Sequence, residues 1–408
     1  MSVELSEVEY NLISKIAREN GFNNFEVITN KGALKGDNFS GILTVVTVKN
    51  DKNTLELILK SALQSEVFRK AAPLREAYLR EIYLYENIFN AFKKYQESHN
   101  VPDIFDNHAK MYGSSVGELN ECLAMENLKT TGYQLWNKQN PMNTEHITTI
   151  LKGYAKFHGT AIAMKHKDPE LYETLTKEIS SDIWGDQDFE AKKIKIEMYI
   201  KMGMEAAIKI VENEPALVEF LKIAEKKIYE LFLMKFQDPE YKVTLIHGDC
   251  WCNNFMFKYK SEDNTTPTSL RIIDWQLAHV NSPAYDYCYF FLAHSTKEVL
   301  EDYKSYLKLY HDALSQHLKS FDCDPDEVFP YSRFENHINR YMVLGLFMCF
   351  SILKIMLCDS GEAPDFGELK EGEDMMESFQ FKFQNYDVYK QRIRELIVFV
   401  KEQDFISK

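Results

Sequence analysis

The pattern of hydrophobic and polar positions changes twice along the first hundred residues. Apolar side chains first recur at helical spacing, at Leu5, Val8, Leu12 and Ile16. This spacing predicts an amphipathic N-terminal helix. Residues 25–60 differ, because apolar and β-branched runs such as 42–48 and 55–59 are separated by glycines and polar residues. Helical spacing returns over 74–92, so we expect a small sheet followed by one helix.

A further change of pattern marks the end of this region. Residues 122–125 form another apolar, strand-like stretch, which runs into Glu126-Asn127-Leu128 and a loop. From Asn143, a suitable N-cap, apolar residues again follow helical spacing. The rest is helix-rich, apart from one short β-region at 243–246 and 270–273. We therefore expect an α+β chain with a first lobe over 1–122, a hinge over 123–128 and a larger helical lobe over 129–408.

The longest apolar run covers residues 341–357. It is shorter than the roughly 20 residues that a membrane-spanning helix needs. Lys354 also interrupts it. This favours a buried core helix, and a membrane anchor is the alternative.

Composition narrows the class of protein. The 408 residues are 45% hydrophobic, which suits a globular chain with two or three domains' worth of core. The net charge of −14 argues against general binding to nucleic acids or to anionic membranes. The seven cysteines are odd in number and irregularly spaced, so we expect free thiols in a reducing compartment, the cytoplasm.

Two segments carry the residues most suited to chemistry. An apolar strand leads into His-Gly-Asp at 247–249 and then to Asn254, and a second apolar strand ends at Asp274. A carboxylate at Asp249 can accept the proton of an attacking hydroxyl. Asn254 and Asp274 offer the hard oxygen ligands that Mg²⁺ prefers when it bridges ATP phosphates. The pattern therefore predicts phosphoryl transfer with ATP and Mg²⁺.

This combination resembles the catalytic and metal-binding loops of the aminoglycoside and choline kinase superfamily, relatives of protein kinases. Trp251, the Asp-Trp-Gln sequence at 274–276 and Ser-Pro-Ala-Tyr-Asp at 282–286 are more particularly similar to the ecdysteroid kinase-like family. The resemblance covers most of the chain and implies a bilobal protein-kinase-like fold. The founding activity of that family is ATP-dependent phosphorylation of a steroid hydroxyl.

The resemblance also implies roles in the N-terminal half. Gly36 and Gly41 allow a tight turn whose backbone amides approach phosphates, although a plain hairpin turn has the same pattern. Lys60 resembles the lysine that contacts the α- and β-phosphates, with an exposed strand-end lysine as the alternative. Glu81 resembles the glutamate that pairs with this lysine.

The predicted hinge resembles the adenine-binding segment of these kinases. Backbone groups of Glu126 and Leu128 would hydrogen-bond the base. Family members often have Asp where Asn127 stands. Because the expected contact uses backbone atoms, this departure leaves it unaffected.

Three other features allow two interpretations each. Cys250 and Cys252 are either core-facing thiols or, with His247, a metal or redox site. We expect His247 itself to hydrogen-bond the loop backbone rather than to act as a base. Asp286 resembles the acid that braces the catalytic loop, and a helix-capping Asp is the alternative.

We therefore expect a phosphotransferase acting on a hydroxyl of a small molecule, an ecdysteroid or another apolar alcohol. The acceptor pocket would lie between the catalytic loop and the helices near 331–357. Protein kinase activity is disfavoured, because the chain has no Ala-Pro-Glu segment and no long activation region after Asp274. A catalytically inactive pseudokinase that binds nucleotide or a small ligand is the alternative. The sequence does not specify the oligomeric state.

Overall fold

The structure of the chain is a computed structural model. It covers residues 3–32, 40–180, 183, 189–234, 238–260, 262, 264–359, 361–364 and 381–406. Within these ranges the strands are β1 (Glu26–Lys31), β2 (Gly41–Lys49), β3 (Thr54–Ala62), β4 (Met111–Ser115), β5 (Cys122–Glu126), β6 (Gln134–Leu135), β7 (Thr244–Ile246), β8 (Phe255–Tyr259), β9 (Pro267–Ile272) and β10 (His279–Asn281). The helices are α1 (Glu7–Glu19), α2 (Glu66–Ala71), α3 (Leu74–Tyr83), α4 (Phe89–Ser98), α5 (Thr144–Lys167), α6 (Pro169–Thr176), α7 (Phe189–Ile210), α8 (Pro215–Met234), α9 (Pro283–His294), α10 (Lys297–Glu301), α11 (Tyr303–Lys319), α12 (Pro325–Val328), α13 (Tyr331–Leu357) and α14 (Tyr386–Glu402).

The N-terminal lobe is built on a five-stranded antiparallel sheet with the order β1-β2-β3-β5-β4. Strands β2 and β3 contain the two predicted apolar runs, and both strand predictions are confirmed. Lys60 of β3 lies opposite Leu43 on one side and Leu123 on the other. Residues 123–126 of the predicted hinge thus belong to β5, and the lobe boundaries remain a prediction.

Helix α1 covers one face of this sheet, and its predicted amphipathic character is confirmed. A capping box starts the helix, since Ser6 and Glu9 each accept the other's backbone N–H. Ile13 and Ile16 are buried against sheet residues such as Val46 and Leu57. Burial of these apolar side chains stabilises the pairing of helix and sheet.

The helix predicted over 74–92 is confirmed, and it continues to Ser98 as α3 and α4. A π-helical turn at Leu84–Ile88 joins them. In a π-helical turn the hydrogen bonds join residues five apart instead of four within a continuous helix, and the sequence pattern did not reveal it. Two ion pairs hold the start of α3 and the preceding helix α2 against the sheet. Buried Glu121, next to β5, binds Arg69 of α2 at 2.8 Å and Arg75 of α3 at 2.7 Å.

The second lobe is mostly helical, which confirms the bilobal α+β prediction. Helix α5 starts where predicted, with the Asn143 side chain accepting the N–H of His146. The β-region predicted at 243–246 and 270–273 is divided between two sheets. Strand β7 pairs with β10, whereas β9 belongs to a three-stranded sheet with β8 and β6. The partner strands are only two to five residues long, too short to leave a clear pattern.

Helix α13 contains the longest apolar run and packs against α9 in the core. By length and composition it is the one helix, among the described residues, that is apolar enough to cross a membrane. However, 72% of its most apolar window is buried inside the protein. The expected core helix is therefore confirmed.

Candidate active site

A cleft between the two lobes contains most of the predicted site residues. Its volume is about 440 Å³. The predicted residues in its lining are Lys60, Glu81, Glu126, Leu128, Asn254 and Asp274. Asp249 and Gly41 are not among the lining residues, and Gly36 lies outside the described part of the chain.

Lys60 lies between two carboxylates. Its Nζ atom is 2.7 Å from Glu81 Oε2 and 2.8 Å from Asp274 Oδ1. The lysine is only 3% exposed, so the alternative of an exposed strand-end lysine is wrong. Burial opposes its charge, but the carboxylates of Asp274 and Glu81 outweigh this effect and raise the pKa of Lys60. The ammonium group therefore stays charged and fixed in direction.

Asp274 occupies a backbone conformation that is uncommon for residues other than glycine. Its φ is 64° and its ψ is 68°, in the left-handed region. Asp and Asn tolerate this region better than most residues. The turn that follows is held by the N–H of Trp275, which donates to Glu81 Oε1 at 3.1 Å. Glu81 therefore binds both Lys60 and the backbone next to Asp274.

The loop that carries Asp249 depends on a glycine. Gly248 has a φ of +84°, and a Cβ atom there would lie 2.4 Å from the Leu277 carbonyl oxygen. Only glycine allows this close approach without a shift of the backbone. The glycine therefore lets the Asp249 loop pack against the turn after Asp274.

Both carboxylate oxygens of Asp249 accept hydrogen bonds that hold the side chain in place. Asn254 Nδ2 donates to Asp249 Oδ2 and to the Asp249 carbonyl, both at 2.9 Å. Tyr289 on α9 donates its hydroxyl to Oδ1 at 3.4 Å. Sequence reasoning missed Tyr289, because an aromatic residue in an apolar helix has no local signal that separates it from the core.

His247 and Asp286 support this loop. His247 Nε2 is 3.0 Å from the Ile273 carbonyl, so it donates there, and Nδ1 accepts the Asp249 N–H at 3.2 Å. Asp286 accepts the backbone N–H of His247 at 2.7 Å and that of Gly248 at 2.9 Å. The N-cap of α9 is Ser282, so the helix-capping interpretation of Asp286 is wrong.

The environment of Asp249 changes its acidity. Burial and the nearby Asp274 carboxylate raise its pKa from 3.8 to about 7, although hydrogen bonds from Asn254, Trp251 and Tyr289 act in the opposite direction. A carboxylate with this pKa exchanges protons readily near neutral pH. That property suits a general base.

This raised pKa predicts a pH-dependent effect on stability. The folded protein keeps the Asp249 proton up to about pH 7, whereas the unfolded chain loses it near pH 4. The contribution of Asp249 to stability therefore falls as pH rises between these values. We expect Asp249→Asn to raise the unfolding midpoint temperature of the ligand-free protein at pH 8 relative to wild type. Thermal unfolding at pH 4 is the control, where this advantage should disappear. An advantage of the same size at both pH values would contradict the shift.

The donor set fits a hard divalent cation. Because Asn254 Nδ2 faces Asp249, its Oδ1 points the other way, as the planar amide requires. The Asp274 side chain is 26% exposed at the cleft. Carboxylate and amide oxygens are typical Mg²⁺ ligands, and Mg²⁺ usually completes its shell with phosphate and water. Asn254 and Asp274 would thus hold the metal.

The segment after β5 presents backbone groups to the same cleft. Glu126 uses its N–H on the Lys110 carbonyl, and the Leu128 carbonyl accepts from Tyr133 and Thr131. The groups not engaged by these bonds are the Glu126 carbonyl and the Leu128 N–H. This acceptor and donor, two residues apart, are complementary to the edge of an adenine ring.

Cys250 and Cys252 are both fully buried and not disulfide-bonded. Burial raises the pKa of Cys252 to about 12, so its thiol stays protonated. Within the described ranges, no three His, Cys, Asp or Glu side chains form a metal-binding group. The two thiols therefore fit the interpretation as core residues.

Two solved structures of phosphotransferases are similar to this chain at low identity. The structure is similar to a GDP complex of an aminoglycoside 2′-phosphotransferase variant, at 12% identity and a TM-score of 0.43, with 97% of this chain and 98% of the other covered. It is also similar to an ADP-bound aminoglycoside phosphotransferase, at 12% identity and a TM-score of 0.36, with 95% and 98% covered. At these values neither similarity bears on activity.

Comparison of the sequence with protein families, in contrast to the structural similarities, shows which family the chain belongs to. No curated protein matches the sequence. The sequence model of the ecdysteroid kinase-like family, in contrast, matches residues 35–323, more than two thirds of the chain. This stretch includes Lys60, Glu81, Asp249, Asn254 and Asp274. The chain therefore belongs to the ecdysteroid kinase-like family.

Proposed function

We propose that this chain is an ATP- and Mg²⁺-dependent phosphotransferase that moves the γ-phosphate of ATP to a hydroxyl group of a small molecule. One observation carries the proposal: Lys60, Glu81 and Asp274 form one ion-pair cluster, with Asn254 in the same cleft and hydrogen-bonded to Asp249. Family membership supports the same class of activity.

Each of these residues has a distinct part. The backbone of Glu126 and Leu128 binds adenine, and Lys60, held by Glu81, contacts phosphate oxygens. Asn254 and Asp274 hold Mg²⁺, which when bound neutralises phosphate charge. Asp249 accepts the proton of the acceptor hydroxyl, and Tyr289 keeps its carboxylate oriented.

The acceptor is an apolar alcohol, and an ecdysteroid is the leading example. Asp249 lies beside Tyr289 of α9, and α9 packs against the apolar helix α13. If these helices line the acceptor pocket, their aromatic and aliphatic side chains would favour a flat apolar molecule over a highly charged one. The acceptor pocket is thus proposed on the α13 side of the catalytic loop.

The proposed cellular setting is a reducing compartment. All seven cysteines are free and buried, which supports a reducing compartment such as the cytoplasm. The net charge of −14 makes a nucleic acid or an anionic membrane an unfavourable partner.

Transfer of labelled phosphate tests the proposal. Purified protein is incubated with γ-labelled ATP, Mg²⁺ and a panel of ecdysteroids, cholines and plant glycosides. We expect label on at least one alcohol, and none when Mg²⁺ is removed by a chelator. If the protein binds MgATP but labels no acceptor, a nucleotide-binding protein without catalysis replaces the enzyme.

A further inference from the structure

Two buried hydrogen-bond donors near Lys60 have no partner among the described residues. They are the hydroxyl of Tyr78 on α3 and the side-chain nitrogen Nε2 of Gln276. Tyr78 is fully buried, and Gln276 is 5% exposed. Native proteins pair the great majority of buried polar groups, so two unpaired donors in one place need an explanation.

Both side chains lie at the start of strand β2. A Cβ atom on Gly41 would lie only 2.0 Å from the Tyr78 hydroxyl, so the phenol packs directly on this backbone. The preceding residue, Ser40, donates its hydroxyl to Gln276 Oε1 at 2.7 Å. The carboxamide is thereby oriented, with Nε2 directed away from Ser40.

The start of strand β2, where Tyr78 and Gln276 lie, borders the ion-pair cluster around Lys60. Lys60 Nζ lies 5.7 Å from the centre of the Tyr78 ring and 2.8 Å from Asp274 Oδ1. Gln276 follows Asp274 by two residues in the short turn Trp275–Leu277. Arg80 on α3 donates to the Ala278 carbonyl at 3.0 Å and so ties the helix of Tyr78 to the turn of Gln276.

Other buried tyrosine hydroxyls also lack a partner, and Tyr172 on α6 is one of them. Tyr78 differs in its surroundings. It contacts the glycine at the start of β2 and lies beside the lysine and the aspartate that face the cleft. Burial and the charges of Glu81 and Asp274 raise its pKa well above the usual range, so the phenol remains a donor.

We propose that Tyr78 and Gln276 form a pair of neutral donors for the phosphate chain of ATP. This inference rests on the proposed function. The charge of Lys60 is already balanced by Glu81 and Asp274, and phosphate oxygens are strong acceptors that neutral O–H and N–H groups can bind. ATP would thus supply the missing partners of both donors.

Tyr78→Phe is a sharp test, because it removes the hydroxyl and keeps the ring. We expect the unfolding midpoint of the nucleotide-free protein to stay the same or rise, since a costly unpaired group is lost. The Kd for MgATP, measured by calorimetry, should rise about tenfold. The Kd for adenosine, which has no phosphate, should not change.

Gln276→Leu should give the same pattern, and two variants serve as controls. Ser40→Ala removes the bond to Gln276 but leaves Nε2, so its effect on MgATP affinity should be much smaller. Tyr172→Phe makes the same chemical change as Tyr78→Phe on α6, where the ring does not lie beside Lys60, Glu81 or Asp274, and it should leave MgATP affinity unchanged.

Two results would overturn the inference. If wild type binds MgATP and both Tyr78→Phe and Gln276→Leu bind it equally well, the pair has no role and the proposed function stands. If the variants lose stability and weaken MgATP and adenosine equally, their role is structural. If wild type binds no MgATP at all, the proposed function itself fails.

Discussion

Replacing Asp249 by asparagine is expected to lower the rate of phosphoryl transfer by on the order of 10²-fold or more. The change keeps the size of the side chain and its capacity to hydrogen-bond Asn254 and Tyr289. It removes the only carboxylate in the loop, which we expect to accept the proton of the attacking alcohol. MgATP affinity should stay within a few-fold of wild type, because the nucleotide-binding residues are untouched.

Two measurements separate the catalytic role of Asp249 from a structural one. Steady-state transfer of labelled phosphate gives the rate, and calorimetry gives the affinity for MgATP. Thermal unfolding at pH 7 checks that the variant folds. A variant as active as wild type would remove Asp249 from the mechanism, whatever the fold.

Replacing Asp274 by alanine is expected to abolish turnover, with a loss on the order of 10³-fold or more. The substitution removes a carboxylate that faces the cleft and one of the two partners of Lys60. Mg²⁺ would then lack one of its protein ligands, and the negative charge of the phosphates would be less well compensated. Calorimetry with and without Mg²⁺ should show weak nucleotide binding that no longer depends on the metal.

Asp274→Asn is the matched variant for this test. The left-handed backbone conformation, with a φ of 64°, is unfavourable for alanine, whereas asparagine tolerates it. Asparagine also keeps one oxygen atom that can bind the metal. We expect Asp274→Asn to fold as wild type and to retain partial metal dependence. Turnover by Asp274→Ala at the wild-type rate would show that Asp274 holds no essential metal.

Much of the site was predictable because its residues follow strong local patterns. The runs 42–48 and 55–59 are rich in apolar and β-branched residues, which predicted two strands and placed Lys60 at the end of the second. In the structure Lys60 lies within β3, two residues before the strand ends at Ala62. Strand-ending acids and the His-Gly-Asp turn then indicated where Asp249 and Asp274 would lie. The structure brings Asp249 to Asn254, as the loop pattern implied, and Lys60 to Glu81, as the family resemblance implied. The contact between Lys60 and Asp274 was not predicted.

The parts that were not predicted depend on contacts between distant residues. Tyr289 reaches Asp249 from α9, forty residues along the chain, and no local spacing reveals that contact. The choice between two roles for Asp286 was decided by its bonds to the backbone of His247 and Gly248. The burial of Lys60 likewise follows from packing between the lobes, which a strand-end lysine alone does not indicate.

The extent of family similarity and the extent of the folding unit are different in this chain. The matched region starts at residue 35, yet Ile13 and Ile16 of α1 cover the outer face of the five-stranded sheet. It ends at residue 323, before α13 and α14 complete the core of the other lobe. A chain trimmed to the shared region would leave apolar surface in contact with water at both ends. Sequence boundaries taken from relatives are therefore poor guides for cutting this protein into a stable, soluble fragment.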